Sequence, residues 1–132
     1  MTERHDQSRQ FILQAMVSMA EADEALDDAE TATICRIYEQ VTAQAITAAG
    51  VREEAEGRRT GETRLATELK AACSEIDKAT KENIIRAAYL VLLADGRIAA
   101  RERKKLKDFA AALKIPEIHY TMILEDLESW SR

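Results

Sequence analysis

Apolar residues recur along this chain at helical spacing. Phe11, Ile12, Ala15, Met16 and Met19 make one apolar face and predict a first helix from about Ser8 to Ala22. Ile34, Ile37, Tyr38 and Val41 fall at i, i+3, i+4 and i+7, with Arg36, Glu39 and Gln40 on the polar side, and predict a second from about Asp28 to Ala48. Periodicity lapses in "GVREEAEGRRTGE", residues 50 to 62, which holds three of the four glycines. That stretch is expected to connect two halves, to carry one short helix at Arg52 to Ala55, and to be the most mobile segment. Leu65, Leu69, Ala72, Cys73 and Ile76 mark a third main helix at about 63 to 76. "IDKATKEN" then turns the chain into "IIRAAYLVLLA", residues 84 to 94. This run is apolar nearly all round, so it belongs at the centre of a bundle, where Arg86 must snorkel or pair. Leu106, Phe109, Ala110 and Leu113 complete a hairpin over about 80 to 114, and Pro116 opens a last helix to about residue 130 carrying Ile118, Met122, Ile123, Leu127 and Trp130. With no strand pattern anywhere, the expected fold is all-α, a single-domain helical bundle over residues 1 to 132.

The chain repeats itself at an offset of 72, where "ADEALDDAE" from residue 22 lies over "ADGRIAARE" from residue 94. The shared pattern is A-D-x-x-[LI]-x-x-x-E. Before it, Ile12, Leu13, Ala15 and Met19 lie over Ile84, Ile85, Ala87 and Val91; after it, Ile34, Ile37 and Val41 lie over Leu106, Phe109 and Leu113. Two helical hairpins of one design, related by pseudo-symmetry, are expected.

Composition narrows what such a bundle does. Apolar residues make up 46%, charged residues 33% and aromatic residues 5%, dominated by helix formers. A net charge of -5 argues against nucleic-acid binding, which needs a cationic footprint, and suits cations or a basic partner protein. The N-terminal "MTERHDQSRQ" lacks the apolar stretch of a signal peptide, and the run at 84 to 94 is far short of the roughly 20 residues that span a bilayer. A soluble, cytoplasmic protein with no membrane contact is expected.

The duplicated A-D-G-x-[IL]-x-x-x-E hairpin, with an apolar helix before the second copy, resembles the tellurite-resistance TerB-like family over roughly residues 8 to 128. The resemblance implies an all-helical bundle with internal pseudo-symmetry. It further implies an association with tellurite resistance and stress responses, and a divalent metal ion as the cofactor, with acidic residues as ligands. Position by position the motif carboxylates fall on Asp23, Glu30, Asp95 and Glu102, and the glycine on Gly96, whose place in the first copy is taken by Glu24.

Two chemistries compete for these carboxylates. Residues 21 to 30, "EADEALDDAE", hold six acidic groups and no basic one. Asp27 is a good N-cap, Asp28 and Glu30 fit the first turn of the second helix, and D-x-x-E is a capping box. Glu102 stands third after Ala99, which cannot cap. Glu21, Asp23, Glu24 and Asp95 gather instead at helix C-termini, where the dipole is already negative, so something positive or an N–H donor must compensate them. A hard cation bridging Asp23 to Glu30, or Asp95 to Glu102, would do so with help from backbone carbonyls. Each turn is too short for an EF-hand, and calcium's six to eight oxygens need water or the other copy.

Nothing else in the chain signals catalysis. His5 and His119 lack the companions of a triad or a zinc-binding helix pair, and Cys35 and Cys73 read as small core hydrophobes. "RERKKLK", residues 101 to 107, places Arg101, Lys104, Lys105 and Lys107 on a solvated outer face that could also meet an acidic segment of another copy or a phosphate-bearing partner. The expectation is a non-enzymatic module that binds a cation or another protein.

Overall fold

The computed structural model describes residues 2–20, 27–60, 65–96 and 100–130. Among these the chain forms seven α-helices: α1 (Thr2–Ala20), α2 (Asp28–Thr42), α3 (Ala48–Thr60), α4 (Leu65–Ala72, extended by a 3-10 turn at Cys73–Glu75), α5 (Lys78–Asp95), α6 (Ala100–Ala112) and α7 (Glu117–Trp130). The all-α bundle expected from the periodicity is the fold observed.

The two elements that the offset of 72 places in register, α1 and α5, pack on each other more extensively than any other pair. Their apolar faces supply the middle of the core: Ala15, Met16 and Val17 from α1 and Ile84, Ile85, Ala88 and Tyr89 from α5 have no exposed surface. Burial repeats along with the sequence. Ile12 and Ile84, Ala15 and Ala87, Met19 and Val91, Ile34 and Leu106, and Ile37 and Phe109 are buried in both copies. Beyond the central pair the packing diverges, since α2 lies against α1 and α5 whereas α6 lies against α5 and α4. Arg86 resolves its position in the apolar helix by pairing loosely on its own element, 3.4 Å from Glu82 and 3.4 Å from Asn83.

Residues 50 to 62 depart from the expected connector with one short helix, because α3 runs through most of them. Tertiary contact decides this: Val51 and Ala55, four residues apart, are both buried as α3 packs on α1 and α2. Thr47 caps the helix, its hydroxyl accepting from the Gly50 N–H at 3.0 Å and its carbonyl from the Val51 N–H at 3.1 Å. The second helix correspondingly ends at Thr42 instead of residue 48. Ala43 takes a left-handed conformation (φ 61°) and its N–H closes on the Glu39 carbonyl at 2.8 Å.

Smaller departures share one cause, the direction from which a neighbour arrives. Lys105, expected on the solvated face, is half-buried and donates from Nζ to the Ser18 carbonyl of α1 at 2.8 Å. On α7, Ile123 and Leu127 are buried while Ile118 and Met122 are exposed, because this helix leans mainly on α5 and buries one side. Pro116 sits one position before α7 and its carbonyl accepts from Tyr120 N–H at 3.0 Å. Cys73 is buried as expected and Cys35 is half-buried.

Candidate functional site at the acidic turns

The described part of the first acidic stretch, residues 27–30, is held largely by its own helix. Asp27 caps α2 with the full reciprocal box: its Oδ1 accepts from Glu30 N–H at 2.7 Å, and Glu30 Oε1 accepts from Asp27 N–H at 3.3 Å. The Asp27 carbonyl also accepts from the buried Thr31 hydroxyl at 2.8 Å. Asp28 receives the guanidinium of Arg52, so a cation from α3 neutralises part of the cluster, although so exposed a pair contributes little to stability. Glu30 is therefore engaged by a backbone amide. Asp23 and Glu24 lie outside the described residues.

The second turn uses the same residue types differently. Gly96 ends α5 in the left-handed conformation (φ 67°), its N–H directed to the Leu93 carbonyl at 3.3 Å. A Cβ there would meet no atom of the described residues within 4 Å, so the demand for glycine lies in the positive φ. Glu102, in the first turn of α6, stands where Glu30 stands in the first copy, yet only 9% of it is exposed. Its Oε2 is buried and has no hydrogen-bond partner among the described residues. On α6 it begins the stripe that continues into the buried Leu106, Phe109 and Leu113, which turns the carboxylate toward the core. Asp95 is the last residue of α5; its side chain, like residues 97–99 with the expected cap position Ala99, lies outside the described residues.

A carboxylate oxygen buried without a donor is costly, on the order of 1–3 kcal/mol or more for a charged group. Its chemistry suits a hard cation or a water held by one, as a single monodentate ligand. Described residues alone complete no cluster of three or more His, Cys, Asp or Glu side chains.

Other titratable groups lie away from the turns. Burial pushes the Cys35 thiol up, the opposite of what activates a nucleophile. His119, expected to stand alone, places Nε2 3.9 Å from Glu82 of α5. Tyr89, wholly buried, donates its hydroxyl to Glu128 of α7, and burial followed by that carboxylate pushes its pKa up to about 12. No helix among the described residues is long and apolar enough to cross a membrane. Sequence reasoning singled out Glu102 from the repeat but not its burial, and it passed over Gln14, whose Oε1 is likewise buried and unpartnered.

No family model, curated protein or solved structure matches the chain.

Proposed function

We propose that this protein is a non-enzymatic, cytoplasmic, TerB-like module of the kind associated with stress and tellurite resistance, and that its second acidic turn holds a divalent cation through Glu102 and Asp95. The observation that carries this reading is the Glu102 carboxylate, nine-tenths buried with an oxygen that no donor among the described residues satisfies. The first turn contributes less, because Glu30 already serves its capping box. Gly96 supports the same asymmetry: it lets the chain reverse tightly after Asp95, whereas Glu24 occupies that place in the first copy.

A metal-free adaptor that docks another protein is the second reading, favoured by the engagement of Asp27, Asp28 and Glu30 within the chain. One titration separates the two. Thermal melts of chelator-treated protein are compared with and without millimolar calcium, magnesium, manganese or zinc. A ligand at about 100 Kd that binds only the native state adds roughly 2.7 kcal/mol. Under the cation reading Asp95→Asn and Glu102→Gln abolish the shift while the apo protein stays folded, and variants of Asp23 and Glu30 reduce it less. A wild-type melt unmoved by every cation leaves the adaptor.

A further inference from the structure

Arg86 is the charge that the packing of the central helix leaves unexplained. It interrupts the apolar run of α5, is half-buried, and among the described residues finds no partner on another helix. Its contacts, from Nη1 to Asn83 Oδ1 and from Nη2 to Glu82 Oε1, are both 3.4 Å, longer than the usual limit of about 3.2 Å. Glu82 also has His119 Nε2 at 3.9 Å. A guanidinium carries several further N–H groups, so most of its donors remain open.

Arg86 lines a cleft of about 160 Å3 where α2, α5 and α7 meet. Asn83, Arg86 and Leu90 supply one face of α5, at i, i+3 and i+7, while Gln40 and Val41 come from the end of α2 and Leu127 from α7. Leu127 is almost wholly buried and Gln40 is exposed, so apolar surface lies at depth and an amide at the mouth. Asn83 turns its Oδ1 to Arg86, which leaves its NH2 group to donate. Among the described residues no carboxylate lines the cleft.

This lining selects a ligand by elimination. An amine finds no carboxylate in it, and a wholly apolar molecule would strip water from the guanidinium and the amide without replacing it. A phosphate brings up to two charges against one cation and has nothing to set on Val41, Leu90 and Leu127. Water alone leaves those three aliphatic side chains wet. A monocarboxylate matches the single cation, presents two oxygens to the guanidinium fork, and covers the aliphatic wall with its body. The volume sets the size of that body: an apolar cavity of about 150 Å3 takes benzene, so about six carbons fit.

We propose that the cleft between α2, α5 and α7 binds a small monocarboxylate with a compact apolar body, its oxygens on Arg86 and Asn83 and its body on Val41, Leu90 and Leu127. The inference does not depend on cation binding at Glu102, which lies on α6 and does not line the cleft.

The test uses the full chain, isotope-labelled for amide chemical shifts, with benzoate as the probe. Saturable shifts centred on residues 40–41, 83–90 and 127 are expected. Affinity should fall at least about tenfold for benzamide, which lacks the charge, and for acetate, which lacks the body. Arg86→Lys keeps the charge, loses the fork, and should also cost about tenfold. Val41→Phe fills the cleft from its half-buried wall and should abolish the shifts. Both variants are checked for a cooperative melt first, and should the lysine variant lack one, Val41→Phe decides. Equal affinity for benzoate and benzamide, binding untouched by Val41→Phe, or no saturable shift with benzoate would each overturn the proposal.

Discussion

Tyr89, with no exposed surface at the centre of α5, donates its hydroxyl to the carboxylate of Glu128 on α7. This polar contact ties the last helix to the core beside its narrow apolar face, Ile123 and Leu127. A hydrogen bond to a charged acceptor is worth about 1.5–3 kcal/mol. Tyr89→Phe keeps the ring and removes the donor, so a loss within that range is expected in chemical denaturation. Hydrogen exchange should show the loss first in α7, because α7 leans mainly on α5.

Burial of the Tyr89 hydroxyl, and after it the contact with Glu128, makes stability fall at high pH. The ordinary tyrosine value is 10.0, and in the folded protein Tyr89 is pushed up to about 12. The folded state therefore holds its proton where the unfolded chain has released it. The contribution is complete below about pH 10 and is lost as pH rises toward 12, at up to ~1.4 kcal/mol per unit. Tyrosinate absorbance should show two of the three tyrosines, Tyr89 and Tyr120, titrating late because both are desolvated by burial, and Tyr89→Phe should remove the component near 12.

Backbone conformation predicts opposite signs for two substitutions. Gly96 and Ala43 both end helices with positive φ, 67° and 61°. Gly96→Ala should destabilise by about 1 kcal/mol and Ala43→Gly should stabilise by a similar or smaller amount, since only glycine adopts this conformation without strain. Thermal melts at one pH decide both. A stabilising Gly96→Ala would contradict the left-handed cap.

The two motif glutamates should respond differently to substitution. Asp27→Ala and Glu30→Ala each break the capping box, and a loss of about 1 kcal/mol is expected for Asp27, the same with and without divalent cations. Glu102→Met fills the same buried space with no unpaired oxygen, so the cation-free protein should melt higher, by about 1 kcal/mol or more, and lose any response to added ions. A fall in the cation-free melt would mean that Glu102 has a donor within the chain.

The core offers a more severe test. Leu92 is 1% exposed on the central helix, so an aspartate there would be buried. An unpaired buried carboxylate costs several kcal/mol, so Leu92→Asp should lack a cooperative thermal transition.

Much of this architecture is local and was readable from residue order. A helix and its buried face follow from which residues recur every three or four positions, which is why the stripes at 11 to 19, 34 to 41 and 106 to 113 and the central place of 84 to 94 agree with the observed core. The Asp27–Glu30 box is equally local, because cap and partner are three residues apart. What distance along the chain separates, the pattern could not supply. Residues 48 to 60 look like a glycine-rich connector until α1 and α2 offer Val51 and Ala55 somewhere to bury. Ile118 and Met122 look like core until α5 approaches α7 from the other side. Glu30 and Glu102 occupy equivalent places in one repeated motif, and only packing separates a capping carboxylate from a buried one without a donor. An open groove lined by positions 10 to 14 of α1 and 68 to 75 of α4, over fifty residues apart, likewise forms only because the core draws α1 and α4 together. Periodicity encodes which face of each helix avoids water; which neighbour covers that face, and which charges are trapped or freed in the process, is settled when the helices compete for one shared interior.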